Sequence, residues 1–290
     1  MAWPWLRKLR RQTMSRGGLW LLLAGLLASH HLLLSLVTQG AEEAVNALLV
    51  WGGACVVLDE RPMGWRPRPG RIGAVAGTVL VLAVLWRSQQ ITSLDSVSSL
   101  LPMIAGLALA LLAAPARRLA PYRQALLMLA LLPVMRSLMV LIPTVELSLV
   151  TARVTQVLLV LCGLPVQVIG NVVQLPEGAV EIMGPCSGIG MVVQLIGVGL
   201  IFALAFPMRH RWQSAAMLLV APLLAVLANG ARIALLAMIT ASSMAARGWW
   251  FNFFHEAEGS LVFSGVAVLV FAWLYGLWME WQIRQLEAAR

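Results

Sequence analysis

Long apolar runs separated by short clusters of arginine recur along the chain, and that alternation leaves one solvent in which it can fold. A bilayer core of ~30 Å asks for about 20 consecutive apolar residues per helical span. Lipid offers no hydrogen bonds, so such runs must satisfy their backbone internally, as helices. With 60% hydrophobic and 11% charged residues, a chain of 290 has too little polar surface to coat a soluble globule. The expected fold class is therefore an all-α polytopic membrane protein, multi-pass and without a soluble domain, fixed-period repeat or long linker. The net charge of +9 does not point to nucleic acid, because the basic residues form clusters between apolar runs and not a continuous face. Cys55, Cys162 and Cys186 lie in or beside apolar stretches with no neighbour at metal-ligand or disulfide spacing, so neither a disulfide framework nor a zinc site is suggested, and the thiol chemistry considered below requires no metal or organic cofactor.

Cytoplasmic loops collect Lys and Arg, which orients the spans. Arg7, Lys8, Arg10, Arg11 and Arg16 put the N-terminus inside, and the run at about 19–37 reads as an uncleaved first span. The acidic stretch 38–43 is then outside. Runs at about 44–58, 72–86, 100–114 and 125–142 follow. The loops carrying Arg61, Arg66, Arg68 and Arg71, and then Arg117, Arg118 and Arg123, fall inside, and the mainly polar 88–99 falls outside. The stretch 146–164 is apolar enough to cross but carries Arg153, and a crossing there would put Cys186 inside. Parity opposes that, since Arg209-His210-Arg211, after the helix that starts near Cys186, is strongly basic. Residues 146–164 are therefore expected as a re-entrant or interfacial helix. Residues 166–183 should form a small extracytoplasmic hairpin turning at Pro176-Glu177-Gly178. Spans at about 186–206, 213–239 and 261–281 complete about eight crossings, with both termini cytoplasmic.

That topology brings three reactive side chains to one depth. Pro185 suits the first turn of a helix, which would set Cys186 among unpaired N–H groups favouring a thiolate, with Ser187 and Gly188 leaving the backbone open to a substrate carbonyl. Arg232 lies in an apolar helix, where a charge costs about 2.5 kcal/mol or more without a partner or access to the interface. Asn229, three residues earlier, shares its face. His255 follows the aromatic cluster Trp249-Trp250-Phe251-Asn252-Phe253-Phe254, a composition of the membrane boundary. Its imidazole can exchange a proton with a thiol, Gly259 clears space beside it, and Glu256 or Glu258 can orient it. Each residue also has a plain reading. A membrane cysteine is usually a small hydrophobe, as taken for Cys55 and Cys162; Arg232 can snorkel to headgroups; His255 can be a solvated interfacial residue. Arg136 and Arg153 fit ion pairs with acids such as Glu146 or Glu181. His30, His31 and His210 are given no role.

Gly170-Asn171-Val172-Val173 to Pro176, Glu181, Cys186-Ser187-Gly188, Asn229 to Arg232, and His255 with Gly259 resemble, in that order, the signature of the exosortase/archaeosortase family of membrane transpeptidases. The resemblance covers about 161–275, within a catalytic core at 144–281. Residues 1–143 match only as generic spans. The aromatic-His-Gly-Ser block is similar to that of the cyanobacterial exosortases. The resemblance implies that Cys186 is the nucleophile, Arg232 its oxyanion or thiolate partner and His255 the general base, with Glu181, Ser187, Gly188, Asn229 and Gly259 in support. It further implies a bacterial cytoplasmic-membrane enzyme with its site at the extracytoplasmic face. Its partners would be exported proteins with a C-terminal signal of a short motif such as Pro-Glu-Pro, one span and a basic tail, and membrane lipid. Two positions depart from the pattern: Ile189-Gly190-Met191 stands where relatives carry a basic residue, and Asn-Gly-Ala precedes Arg232 in place of a bulkier triplet. A non-catalytic transporter or polysaccharide-export component, binding an anion through Arg232, Arg153 and Arg136, is the alternative from another class. An intramembrane cysteine protease would share the site and lack the transfer step.

Overall fold

A computed structural model describes residues 16–59, 67–92, 97–243 and 245–288. Arg7, Lys8, Arg10, Arg11, Arg61, Arg66 and Arg290 lie outside the described residues, as do positions 93–96 of the polar 88–99 segment. The chain divides into two compact units, Met1–Val134 and Met135–Arg290, nine residues before the 143/144 boundary drawn from sequence.

The first unit is a helical bundle of α1 (Arg16–Gln39), α2 (Ala41–Asp59), α3 (Arg71–Ser88), α4 (Leu101–Ala113) and α5 (Arg123–Leu129). These contain the apolar runs read from sequence. Small residues let α3 and α4 approach closely, since a Cβ on Gly77 would stand 2.9 Å from the Ala108 carbonyl oxygen and one on Gly73 3.0 Å from that of Leu111. Trp20 Nε1 ties α1 to α4 by donating to Leu109 O at 2.8 Å. The run at 125–142 is broken into α5 and α6 (Leu131–Leu141). Pro133 has no N–H to give the carbonyl of Leu129, so the ladder is interrupted where the two helices meet.

The second unit runs on through α7 (Thr144–Leu161), strands β1 (Gln167–Ile169), β2 (Val172–Leu175) and β3 (Gly178–Glu181), a tight 3-10 turn over Gly184–Ser187, and α8 (Ile189–Ala205). Helices α9 (Arg211–Ala241), α10 (Arg247–His255) and α11 (Ala257–Ala288) follow. At the basic end, Gln282 Nε2 donates to Gln213 Oε1 at 2.9 Å, and Tyr275 Oη to Phe206 O at 2.7 Å. Helix α9, with 31 residues, is roughly 46 Å long at ~1.5 Å per residue, well beyond a ~30 Å core. One end of it must therefore project. Asn229 lies roughly 27 Å from Arg211 along that axis, about one hydrocarbon thickness.

Helix α7 runs alongside α8 and then alongside α9. Met135 would collide with a Cβ on Gly197, Leu147 packs against Ile189, Thr151 Oγ1 donates to Ser187 O at 2.9 Å, and Thr155 Oγ1 to Gly230 O at 3.2 Å. Leu159 then joins Leu236 and Ala237. The chain from Met135 to Leu161 thus climbs in one direction along α8 and then along the projecting half of α9. Helix α7 is continuous from Thr144 to Leu161 and does not turn back on itself. It extends the preceding span past the level of Ser187. Arg153 belongs to this extension, exposed and donating to Gln156 Oε1 at 3.2 Å. Among the described residues seven helical segments are long and apolar enough to cross a membrane, α7 among them, and 98–113 and 189–205 are shorter apolar helices.

In place of one hairpin the structure has a three-stranded antiparallel meander, β1-β2-β3. The extra turn lies at Gly170-Asn171, where Gly170 has φ 62° and Asn171 Nδ2 donates to Ile182 O at 3.0 Å. Alternation along β2 and β3 buries Val173, Leu175 and Val180, with Ile182 just beyond, against Leu159, Ile233 and Leu236. The sheet is thereby clamped to the projecting ends of α7 and α9, and β3 delivers the chain to Cys186.

Candidate active site

The Gly184–Ser187 turn is held from four directions. Cys186 N–H donates to Met183 O at 2.9 Å and Ser187 Oγ to Gly184 O at 2.7 Å. Asn229 Nδ2 on α9 donates to Cys186 O at 3.0 Å, and Thr151 on α7 holds Ser187 O. Ser187 and Asn229 are fully buried. Gly188 then takes φ +90°, the left-handed region open to glycine, and a Cβ there would lie 2.6 Å from Asn229 Nδ2. Only glycine meets both demands.

Cys186 is 8% exposed, and its Sγ stands 3.7 Å from Nδ1 of His255, 69 residues later. The imidazole stacks on Phe251, with ring centroids 5.3 Å apart and an interplanar angle of 17°. Phe251 and Phe254 in turn pack on the apolar cluster that contains Cys186. Gly259 is buried where α10 turns into α11, and a Cβ there would collide with the backbone of Phe253 and Phe254. It therefore clears space for the α10 backbone more than for the imidazole itself. Glu256 caps α10 through its N–H to Asn252 O at 2.9 Å, with an exposed carboxylate. No hydrogen bond joins that carboxylate to His255 among the described residues, and the side chain of Glu258 lies outside them.

Arg232 is 4% exposed, which sets aside snorkelling to headgroups. Its charge reaches Cys186: burial pushes the thiol up from its ordinary value, and the Arg232 guanidinium pulls it part of the way back. This corrects the expectation of a thiolate at a helix N-terminus. Cys186 precedes the first turn of α8, separated from it by Gly188, and its own N–H is already engaged. What the geometry gives is a sulfur facing an imidazole nitrogen. Among the described residues neither Arg136 nor Arg153 pairs with Glu146 or Glu181, and Glu181 is exposed at the end of β3.

Thr151, Thr155 and Phe251 were not singled out from sequence. The signal for the threonines was present, two hydroxyls four residues apart on one face of an apolar helix, but it is the ordinary way a membrane helix carries threonine. Phe251 was hidden within the aromatic cluster.

A family model described as transmembrane exosortase matches residues 39–272, reaching well into the N-terminal spans that seemed generic. No curated protein and no solved structure matches the chain. A match over most of the length, on a multi-pass helical chain in which Cys186 meets His255, establishes membership: the chain belongs to the transmembrane exosortases, a family of membrane-embedded sorting cysteine transpeptidases.

Proposed function

We propose that this protein cleaves the C-terminal sorting signal of exported proteins through a Cys186 thioester and passes the acyl group to an acceptor. The observation that carries this reading is the 3.7 Å approach of Cys186 Sγ to His255 Nδ1. With its proton on Nε2, the imidazole presents Nδ1 as the acceptor for the thiol proton. Sulfur attacks the scissile carbonyl as that proton moves to His255, and Arg232 stabilises the oxyanion that the engaged Cys186 amide cannot serve. The imidazolium then gives its proton to the leaving amine, the C–N bond breaks, and the tail departs as its free amine. An acceptor amine or hydroxyl, or water, attacks the thioester; His255 takes its proton and returns it to the sulfur. Asn229, Thr151, Ser187 and Gly188 hold the turn, and Gly259 sets the corner that carries His255. Glu181 is left with a substrate-facing role at the exposed sheet.

The substrate in this reading bears a short motif such as Pro-Glu-Pro, one span and a basic tail. Its span docks laterally, which presets the geometry of attack. The membrane is the bacterial cytoplasmic one, with both termini cytoplasmic and Cys186 at the extracytoplasmic face. The exposed Arg153 and buried Arg232 occupy different environments, so nothing favours a shared anion site for transport. The test is co-expression of a tail-bearing protein with wild type, Cys186→Ala, Arg232→Ala or His255→Ala at matched levels, reading gel mobility and retention of a C-terminal tag. Tag loss with wild type alone supports the reading; unchanged processing by Cys186→Ala overturns it.

A further inference from the structure

The first unit contains a partly open cavity of about 530 Å³, inside the range of roughly 300–1,000 Å³ typical of ligand pockets. Four helices wall it, with Trp20 and Gly25 from α1, Trp51 and Cys55 from α2, Leu109 from α4 and Leu126 from α5. Its lining is overwhelmingly apolar, so water has few hydrogen-bond partners there and an apolar solute is the better occupant. Two further features narrow the occupant. The cavity lies within helices that face lipid, whose chains are the only abundant apolar solute at that depth. Tyr122 is among the lining residues, and Arg117, Arg118 and Arg123, all exposed, lie within five residues of it in sequence. An apolar slot lined by a residue so close in sequence to three exposed arginines suits an acyl chain joined to an anionic headgroup.

We infer that this cavity is a binding site for an anionic glycerophospholipid, one acyl chain lying between Trp20 and Trp51 and the headgroup phosphate meeting Arg117, Arg118 and Arg123. The site is independent of the chemistry at Cys186. Gly25 supplies the means of closing it, because a side chain there enters open space and leucine strengthens the helix relative to glycine.

The experiment uses the full chain purified in mild detergent. Native mass spectrometry and lipid extraction are carried out after exchange into phosphatidylglycerol or phosphatidylcholine, with melting temperature followed in parallel. Wild type should keep one phospholipid, preferring phosphatidylglycerol by roughly tenfold or more, given about 1 kcal/mol per arginine at a charged surface. Gly25→Leu should lose the lipid at an unchanged or raised melting temperature. The triple variant Arg117→Gln, Arg118→Gln, Arg123→Gln should keep a lipid and lose the preference. In a Cys162→Ser background, phosphatidylglycerol should slow maleimide labelling of Cys55. The inference is overturned if folded wild type retains no phospholipid, if Gly25→Leu retains as much, if a polyprenyl lipid is held instead, or if Cys55 labels equally fast with phosphatidylglycerol present.

Discussion

Asn229 Nδ2 donates to the carbonyl oxygen of Cys186 at 3.0 Å, and the same amide occupies the space that a side chain at position 188 would need. One asparagine therefore fixes the turn bearing the thiol and bars any larger residue two positions after it. Gly188→Ala should destabilise the protein by about 2 kcal/mol or more, combining the left-handed backbone cost with the collision. Thermal unfolding in detergent measures this. Adding Asn229→Ala should relieve only the steric part, so the double variant should stay well below wild type.

Alkylation of Cys186 tests its protonation state. Burial raises the thiol pKa, so the thiolate is scarce at neutral pH and appears only as pH climbs past the ordinary thiol value. Iodoacetamide labelling of Cys186, in a Cys55→Ser, Cys162→Ser background, should accelerate through the alkaline range. Arg232→Gln removes the opposing charge, so its curve should move to still higher pH. A curve shifted to lower pH would contradict the direction of Arg232's influence.

If the proposed function holds, with His255 as its general base, replacing His255 by Gln should lower the rate of tail cleavage by about 10²- to 10⁴-fold. Its melting temperature should barely change, because the imidazole is exposed and stacks on a single ring. Phe251→Ala leaves the base in place and removes that stacking support, so its rate should fall less than that of His255→Gln.

Thr151→Val deletes the donor to the buried Ser187 carbonyl while preserving shape. The orphaned acceptor should cost about 1–3 kcal/mol in thermal unfolding. Thr151→Ser, which keeps the hydroxyl, should recover most of the loss.

The spans were legible because lipid imposes a single rule, internal satisfaction of the backbone, that runs of Leu, Val and Ala announce directly. Cys186, Arg232 and His255 stood out for the opposite reason, as groups that such a rule makes costly or reactive. What escaped was tertiary. The break between α5 and α6 and the course of α7 depend on Pro133 and on what Met135, Leu147 and Thr151 touch, and periodicity carries no trace of that. The β1-β2 turn was missed because Gly170-Asn171 sits in a short run of β-branched residues, whereas Pro176-Glu177-Gly178 drew the eye as the stronger punctuation. The placement of Cys186 was misjudged because Pro185 looked like the entry to α8, whereas the left-handed Gly188 separates that turn from the helix.

Because α7, α9 and the small sheet pack together and hold the turn that bears Cys186, the sulfur is fixed relative to those helices. On the proposed function, a polypeptide anchored in the same bilayer by its own helix would be measured against those helices. Lengthening or shortening the stretch between its anchor and its scissile bond would then bring a different peptide bond to the thiol, and the packed helices and sheet would act as a ruler, with distance as well as side chain setting the cleavage point.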